Sequence, residues 1–139
     1  MAHDGPIILI DDDDDDLMIL KAFLIKEGIT NELKVFSNGL DALHFLRSMD
    51  EKAFLILSDI NMPKMTGLQL RDAINDDPVL KEKSIPFVFF STSAEEGAIQ
   101  LAYKMSVQGF FQKGSTINEI GRQLRSIIDY WKQCKHPNN

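Results

Sequence analysis

Short apolar runs, rich in β-branched and aromatic residues, alternate along the chain with longer stretches of helical period. The runs Ile7–Ile10, Leu33–Phe36, Phe54–Leu57, Phe87–Phe90 and Gly109–Gln112 predict five strands. Leu17–Lys26, Gly39–Met49, Gly67–Asn75, Glu95–Met105 and Ile117–Gln133 predict five helices. Such alternation is the signature of an α/β protein, a parallel sheet whose strands are joined by crossover helices.

Local signals mark the boundaries. Ser93 with Glu96, and Thr116 with Glu119, have the spacing of capping boxes. Gly28 suits a helix end, and Asn38-Gly39 marks a turn before the second helix. Pro78 and Pro86 bracket a charged connection, Asp77 to Ser84, and the tail from Lys135 to Asn139 is expected to fray. No repeat or long linker interrupts the pattern. Residues 1–139 are therefore expected to form one (βα)₅ unit with a core from about residue 6 to residue 133, leaving no room for an output domain.

A net charge of −6 removes one class of partner. Nucleic-acid binders work by neutralising phosphates, and no basic stripe is present to do so. The apolar run near the start stops after Ile10 at an acidic block and has no basic flank, so neither a signal peptide nor a membrane span is predicted. The single cysteine, Cys134, has no internal partner for a disulfide. Cytoplasmic residence is the resulting expectation.

The candidate chemistry sits directly behind the strand runs. Asp11 and Asp12 follow the first, Asp59 the third, Ser91 the fourth and Lys113 the fifth. Residues just past the carboxyl ends of parallel strands meet along one edge, where open α/β sheets bind ligands. Asp11 begins a run of aspartates ending at Asp16. Most acidic runs are solvated, but this one lies between a strand and an apolar helix. Carboxylates packed at a strand end repel one another unless a cation answers them, and hard oxygen ligands suit Mg²⁺. An EF-hand does not fit, because the run lacks the glycine and glutamate that a calcium loop requires. Asp14 to Asp16 are placed to favour the helix dipole. Together these groups suit a phosphoryl-transfer site.

With those positions set, the chain resembles the receiver domain of two-component response regulators. The resemblance runs from Pro6 to about Gln133 and rests on IILIDD, LILSDINMPKMTG, PFVFFSTS and GFFQK. It implies a three-layer, doubly wound, flavodoxin-like fold with strand order 2-1-3-4-5. It implies that Asp59 is the phosphoacceptor, Asp12 a direct Mg²⁺ ligand with Asp11 assisting, and the Asn61 carbonyl a further ligand. Lys113 would pair with a phosphoryl oxygen, Ser91 would be the switch hydroxyl and Phe110 the aromatic switch. Pro63 and Gly67 would shape the loop beside the pocket. The implied donor is a sensor histidine kinase or a histidine phosphotransfer protein. A downstream protein would be the target, and no enzyme activity beyond intrinsic phosphorylation and dephosphorylation is implied. A homodimer through Glu95–Met105, Phe110–Gln112 and the last helix is also implied. Local likenesses, the Asp-rich stretch, DDPVLKEKSIP and STS, resemble regulators that pair with phytochrome-type kinases.

One departure stands out: Gly114 follows Lys113 where the family usually has proline. Two other readings compete. IILIDDD also fits the nucleophile motif of a haloacid-dehalogenase-type phosphatase, with Asp11 and Asp13 as its pair, but only Glu119 and Asp129 remain beyond Lys113 as its further carboxylates. A phosphorylation-independent receiver-like binding module is the other. His3, His44 and His136 have no ligand spacing and read as structural, and Met62 and Met65 read as gap fillers.

Overall fold

In the computed structural model, which describes residues 2–137, five parallel strands lie in the order β2-β1-β3-β4-β5. They are β1 (Ile7–Ile10), β2 (Leu33–Phe36), β3 (Leu55–Ser58), β4 (Phe87–Ser91) and β5 (Gly109–Gln112). The strand register is in step across the sheet: Ile7 pairs with Leu33 and with Leu55, Ile56 with Phe87, and Val88 with Gly109. The three inner strands are buried along their whole length, which is why they read as unbroken apolar runs.

Alternate residues of those strands face opposite layers. Ile7, Leu9, Leu55, Leu57, Val88 and Phe90 pack beneath α1 (Asp14–Lys26) and α6 (Ile117–Gln133). Ile8, Ile10, Ile56, Phe87 and Phe89 pack against the opposite layer. That layer holds α2 (Gly39–Ser48), α3 (Gly67–Asp76), α4 (Pro78–Lys83) and α5 (Glu96–Lys104). The expected three-layer arrangement and strand order are thus those of the protein.

Several local expectations need correction. The first helix starts at Asp14 rather than Leu17, because Asp13 caps it by accepting from the N–H groups of Asp15 and Asp16. The connection from Asp77 to Ser84 contains the short helix α4, with Asp77 capping its start and Pro78 in its first turn. Ser93 and Glu96 form no capping box: α5 starts after Glu95, whose side chain makes no capping bond. Thr116 does cap α6, yet Glu119 reaches past it to Ser115 N. A full capping box occurs instead at Thr66 and Gln69.

The tail is also ordered further than expected. His136 is buried, lies 2.7 Å from Phe54 O through Nε2, and stacks on the Phe54 ring. Lys132 donates to His3 O and Asn31 Oδ1, so the end of α6 is tied to the segments that lead into β1 and β2. Asn138 and Asn139 lie outside the described residues. No helix among the described residues is long and apolar enough to cross a membrane.

Candidate functional site

Backbone bonds carry the strand ladder one residue beyond the strands and fix the site. Asp11 N donates to Phe36 O (3.0 Å), Asp59 N to Ile10 O (2.8 Å) and Lys113 N to Ser91 O (2.8 Å). The side chains of Asp11, Asp59, Ser91 and Lys113 therefore share the carboxyl edge of the sheet. Asp12 joins them as the exposed member: oxygens of Asp11, Asp12 and Asp59 all lie within 4.8 Å of one another.

Each carboxylate has a defined surrounding. Asp59 Oδ1 accepts from the Ser91 hydroxyl (2.6 Å) and from Ile60 N (2.7 Å). Its Oδ2 takes no hydrogen bond among the described residues. Asp11 is buried; Oδ1 accepts from Asp13 N (3.0 Å) and Oδ2 from Lys113 Nζ (2.7 Å). Burial raises the Asp11 carboxyl above its ordinary range, and the Lys113 bond offsets only part of that. Burial by itself would lower the Lys113 ammonium, but its bonds to Asp11 and Asp16 outweigh it and leave the group raised and charged. Phe90 lies under that ammonium, 5.7 Å from ring centroid to Nζ.

The loop after β3 is folded tightly against the site. Gly67 N donates to Ile60 O at 2.7 Å, and a Cβ at Gly67 would stand 2.1 Å from Asp59 O. Ile60 and Met62 are buried and Met65 is half-buried, which fits the gap-filling role expected of the methionines. Asn61 is exposed in this loop, and Lys64 turns it with a positive φ of 63°. Phe110 is half-buried against Phe89, with ring centroids 5.8 Å apart.

Two features of the site were missed from sequence. Asp16, read as a helix residue, also accepts from Lys113 Nζ at 2.9 Å. The run of identical residues disguised it: Asp13 caps, Asp16 holds the lysine, and Asp11 and Asp12 face the pocket. Gln123, on α6, bonds to the backbone on both sides of Lys113, and no spacing rule marks it. The Lys113–Gly114 peptide is trans. The phosphatase reading loses its second carboxylate, because Asp13 is spent on capping α1. Its downstream carboxylates fail too, since Glu119 closes the loop before α6 and Asp129 lies exposed within that helix.

Residues 7–125 match the response regulator receiver domain family. The chain belongs to that family. Response regulator Rcp1 of Synechocystis is 28% identical over 130 residues, covering 90% of this chain and 87% of that protein. The crystal structure of the phosphorylated cyanobacterial phytochrome response regulator RcpA superposes with a TM-score of 0.87 at 27% identity, covering 95% of this chain and 97% of that one. The Mn²⁺-bound form of Rcp1 superposes with a TM-score of 0.84 at 27% identity, covering 95% and 98%. The chain is thus a two-component signalling receiver domain, similar to phytochrome response regulators, with the acidic pocket such domains use for a divalent ion.

Proposed function

We propose that residues 1–139 act as one receiver unit that takes a phosphoryl group on Asp59 from a histidine kinase or a histidine phosphotransfer protein. The observation that carries this reading is the state of the Asp59 carboxylate. Ser91 and Ile60 N hold one oxygen, the other takes no hydrogen bond among the described residues, and the carboxylate groups with those of Asp11 and Asp12. Asp59 Oδ2 attacks the phosphorus of the donor's phosphohistidine. The phosphorus–nitrogen bond breaks, its electron pair returns to the imidazole with a proton, and an acyl phosphate forms. Phosphoryl transfer asks the protein mainly for position and charge neutralisation.

The donor set suits Mg²⁺: oxygens of three carboxylates gather within 4.8 Å, and Asp11 is buried among them. Asp11, Asp12, Asp59 and the Asn61 carbonyl would hold the ion, which supplies positive charge where phosphoryl oxygens gather. Lys113 pairs with a phosphoryl oxygen. The Ser91 hydroxyl turns from Asp59 to the phosphoryl group and draws the segment before α5 inward. Phe110 follows as the aromatic switch, altering the α5–β5–α6 surface that a target protein or a second copy meets. Water attack on the acyl phosphate ends the signal. A cytoplasmic setting follows from that donor.

Incubation with acetyl phosphate and Mg²⁺ tests the chemistry. A mass gain of one phosphate is expected, lost in Asp59→Asn. No gain from acetyl phosphate or any phosphohistidine donor would leave the binding-only reading. Sedimentation of both forms tests the dimer: a monomer in each state removes it.

A further inference from the structure

Lys113 stands where the sheet's own bonding runs out. Its N–H makes the last ladder bond to Ser91 O, and the chain then turns through Gly114, Ser115 and Thr116 into α6. Asp11 and Asp16 hold the ammonium of Lys113, but where its long stem can bring that ammonium still depends on where the backbone starts it.

The side-chain amide of Gln123 spans that weak point. Gln123 Oε1 accepts from Gly114 N at 2.9 Å, and Gln123 Nε2 donates to Gln112 O at 2.7 Å. Those two backbone groups flank Lys113 on either side. The orientation of the amide follows from its partners, because only one placement gives the N–H an oxygen and the carbonyl a donor. Gln123 belongs to α6, whose neighbouring Leu124 and Ile127 are fixed in the core, so the bracket is anchored to a rigid element. Gly114 permits the approach: a Cβ there would lie 2.5 Å from Glu119 Cβ and 3.3 Å from Gln123 Oε1. Glu119 closes the remaining turn by accepting from Ser115 N at 3.0 Å.

We propose that Gln123 is the positioning residue for Lys113, and that Gly114 and Gln123 work as a pair. A proline after the lysine would offer no N–H and could not enter this bracket. The departure from the usual family pattern is thus matched by a side chain that holds the loop. Its effect on phosphoryl transfer rests on the receiver reading above; the bracket itself does not.

Two measurements separate these. Amide hydrogen exchange reads the bracket directly. Gly114 N–H is expected to be protected in the wild type and to exchange about tenfold faster in Gln123→Ala and in Gln123→Leu, which fills similar volume without bonding. Unchanged exchange overturns the proposal. Phosphorylation by acetyl phosphate at saturating Mg²⁺ reads the consequence. Both Gln123 variants are expected to lose about tenfold in rate. In a Lys113→Ala background the same changes are expected to cost less than about twofold, because Gln123 acts through the lysine. Equal losses in both backgrounds, or a Leu variant as fast as the wild type, overturn the positioning role. A wild type that takes no phosphate would instead sink the phosphoacceptor reading and the positioning role with it, and the exchange result alone would judge the bracket.

Discussion

The Ser91 hydroxyl donates to Asp59 Oδ1 across 2.6 Å, with Ser91 fully buried at the end of β4. The same hydroxyl oxygen accepts from Ser93 N at 3.2 Å. One small side chain therefore fixes the carboxylate and touches the segment that leads to α5. Ser91→Ala leaves the carboxylate with Ile60 N as its remaining donor and removes a bond to a charged group worth about 1.5–3 kcal/mol. Phosphorylation by acetyl phosphate should slow by about tenfold, and Ser91→Thr, which keeps the hydroxyl, should retain most of the rate. Stopped-flow or mass spectrometry gives both numbers; an alanine variant at wild-type speed would show that the contact does not orient Asp59.

Asp16 competes for Lys113. The ammonium is shared between Asp11 at 2.7 Å and Asp16 at 2.9 Å, and both carboxylates raise its charge stability. Asp16→Asn removes one negative charge from the path of an anionic donor and leaves Lys113 held by Asp11 alone. Phosphorylation by acetyl phosphate should rise about threefold at low salt, and the gain should shrink at about 0.5 M salt as screening grows. A salt-independent effect would point to packing rather than charge.

Gly67 has no room for a side chain. A methyl group there would meet Asp59 O at 2.1 Å and Phe89 Cε1 at 2.7 Å, so the loop after β3 or the strand itself must move. Gly67→Ala should cost about 1–3 kcal/mol in urea unfolding. Metal affinity should fall as well, because the displaced backbone is that of Asp59. Calorimetric titration with Mg²⁺ checks the second part.

Acid should release the tail. Burial, helped by nearby His3, lowers the His136 pKa below its ordinary value, although the bond at Phe54 O works the other way. A lowered folded pKa means that the neutral ring is the docked form. Its stabilisation is present above the unfolded pKa of about 6.5 and is lost as pH falls through the folded value. Trp131 reports on this directly, since its ring lies 6.4 Å from that of His136. Its fluorescence should change as pH falls below the ordinary histidine value of about 6.5, and the change should vanish in His136→Gln.

What was legible in the sequence followed from position along the strands. Ile7–Ile10 and Phe87–Phe90 are buried on both faces, so composition alone betrayed them. Asp11, Asp59 and Lys113 were found because each directly follows a strand, and the ladder bonds to Phe36, Ile10 and Ser91 hold them there. Helix α4 was missed because six residues, beginning with a proline and half of them charged, are too few to show an apolar period. The Asp16 partner depends on a contact 97 residues along the chain, whereas the Gln123 bracket spans only 9 and 11 residues but joins a helix to a loop at no spacing that a helix or strand period marks. The docking of His136 on Phe54, 82 residues away, was hidden as the Asp16 contact was.

Among the described residues, the side-chain hydrogen bonds that tie α5 to the neighbouring helix gather at its last turn. Arg71 donates to Met105 O and Ser106 O, and Asn75 donates to Met105 O, so α3 grips its last turn. Its first turn starts at an uncapped Glu95, close behind the Ser91 segment. Were phosphorylation of Asp59 to draw on Ser91, as proposed above, the helix would turn as a lever with its fulcrum near Met105, and the largest swing would fall on its first turn.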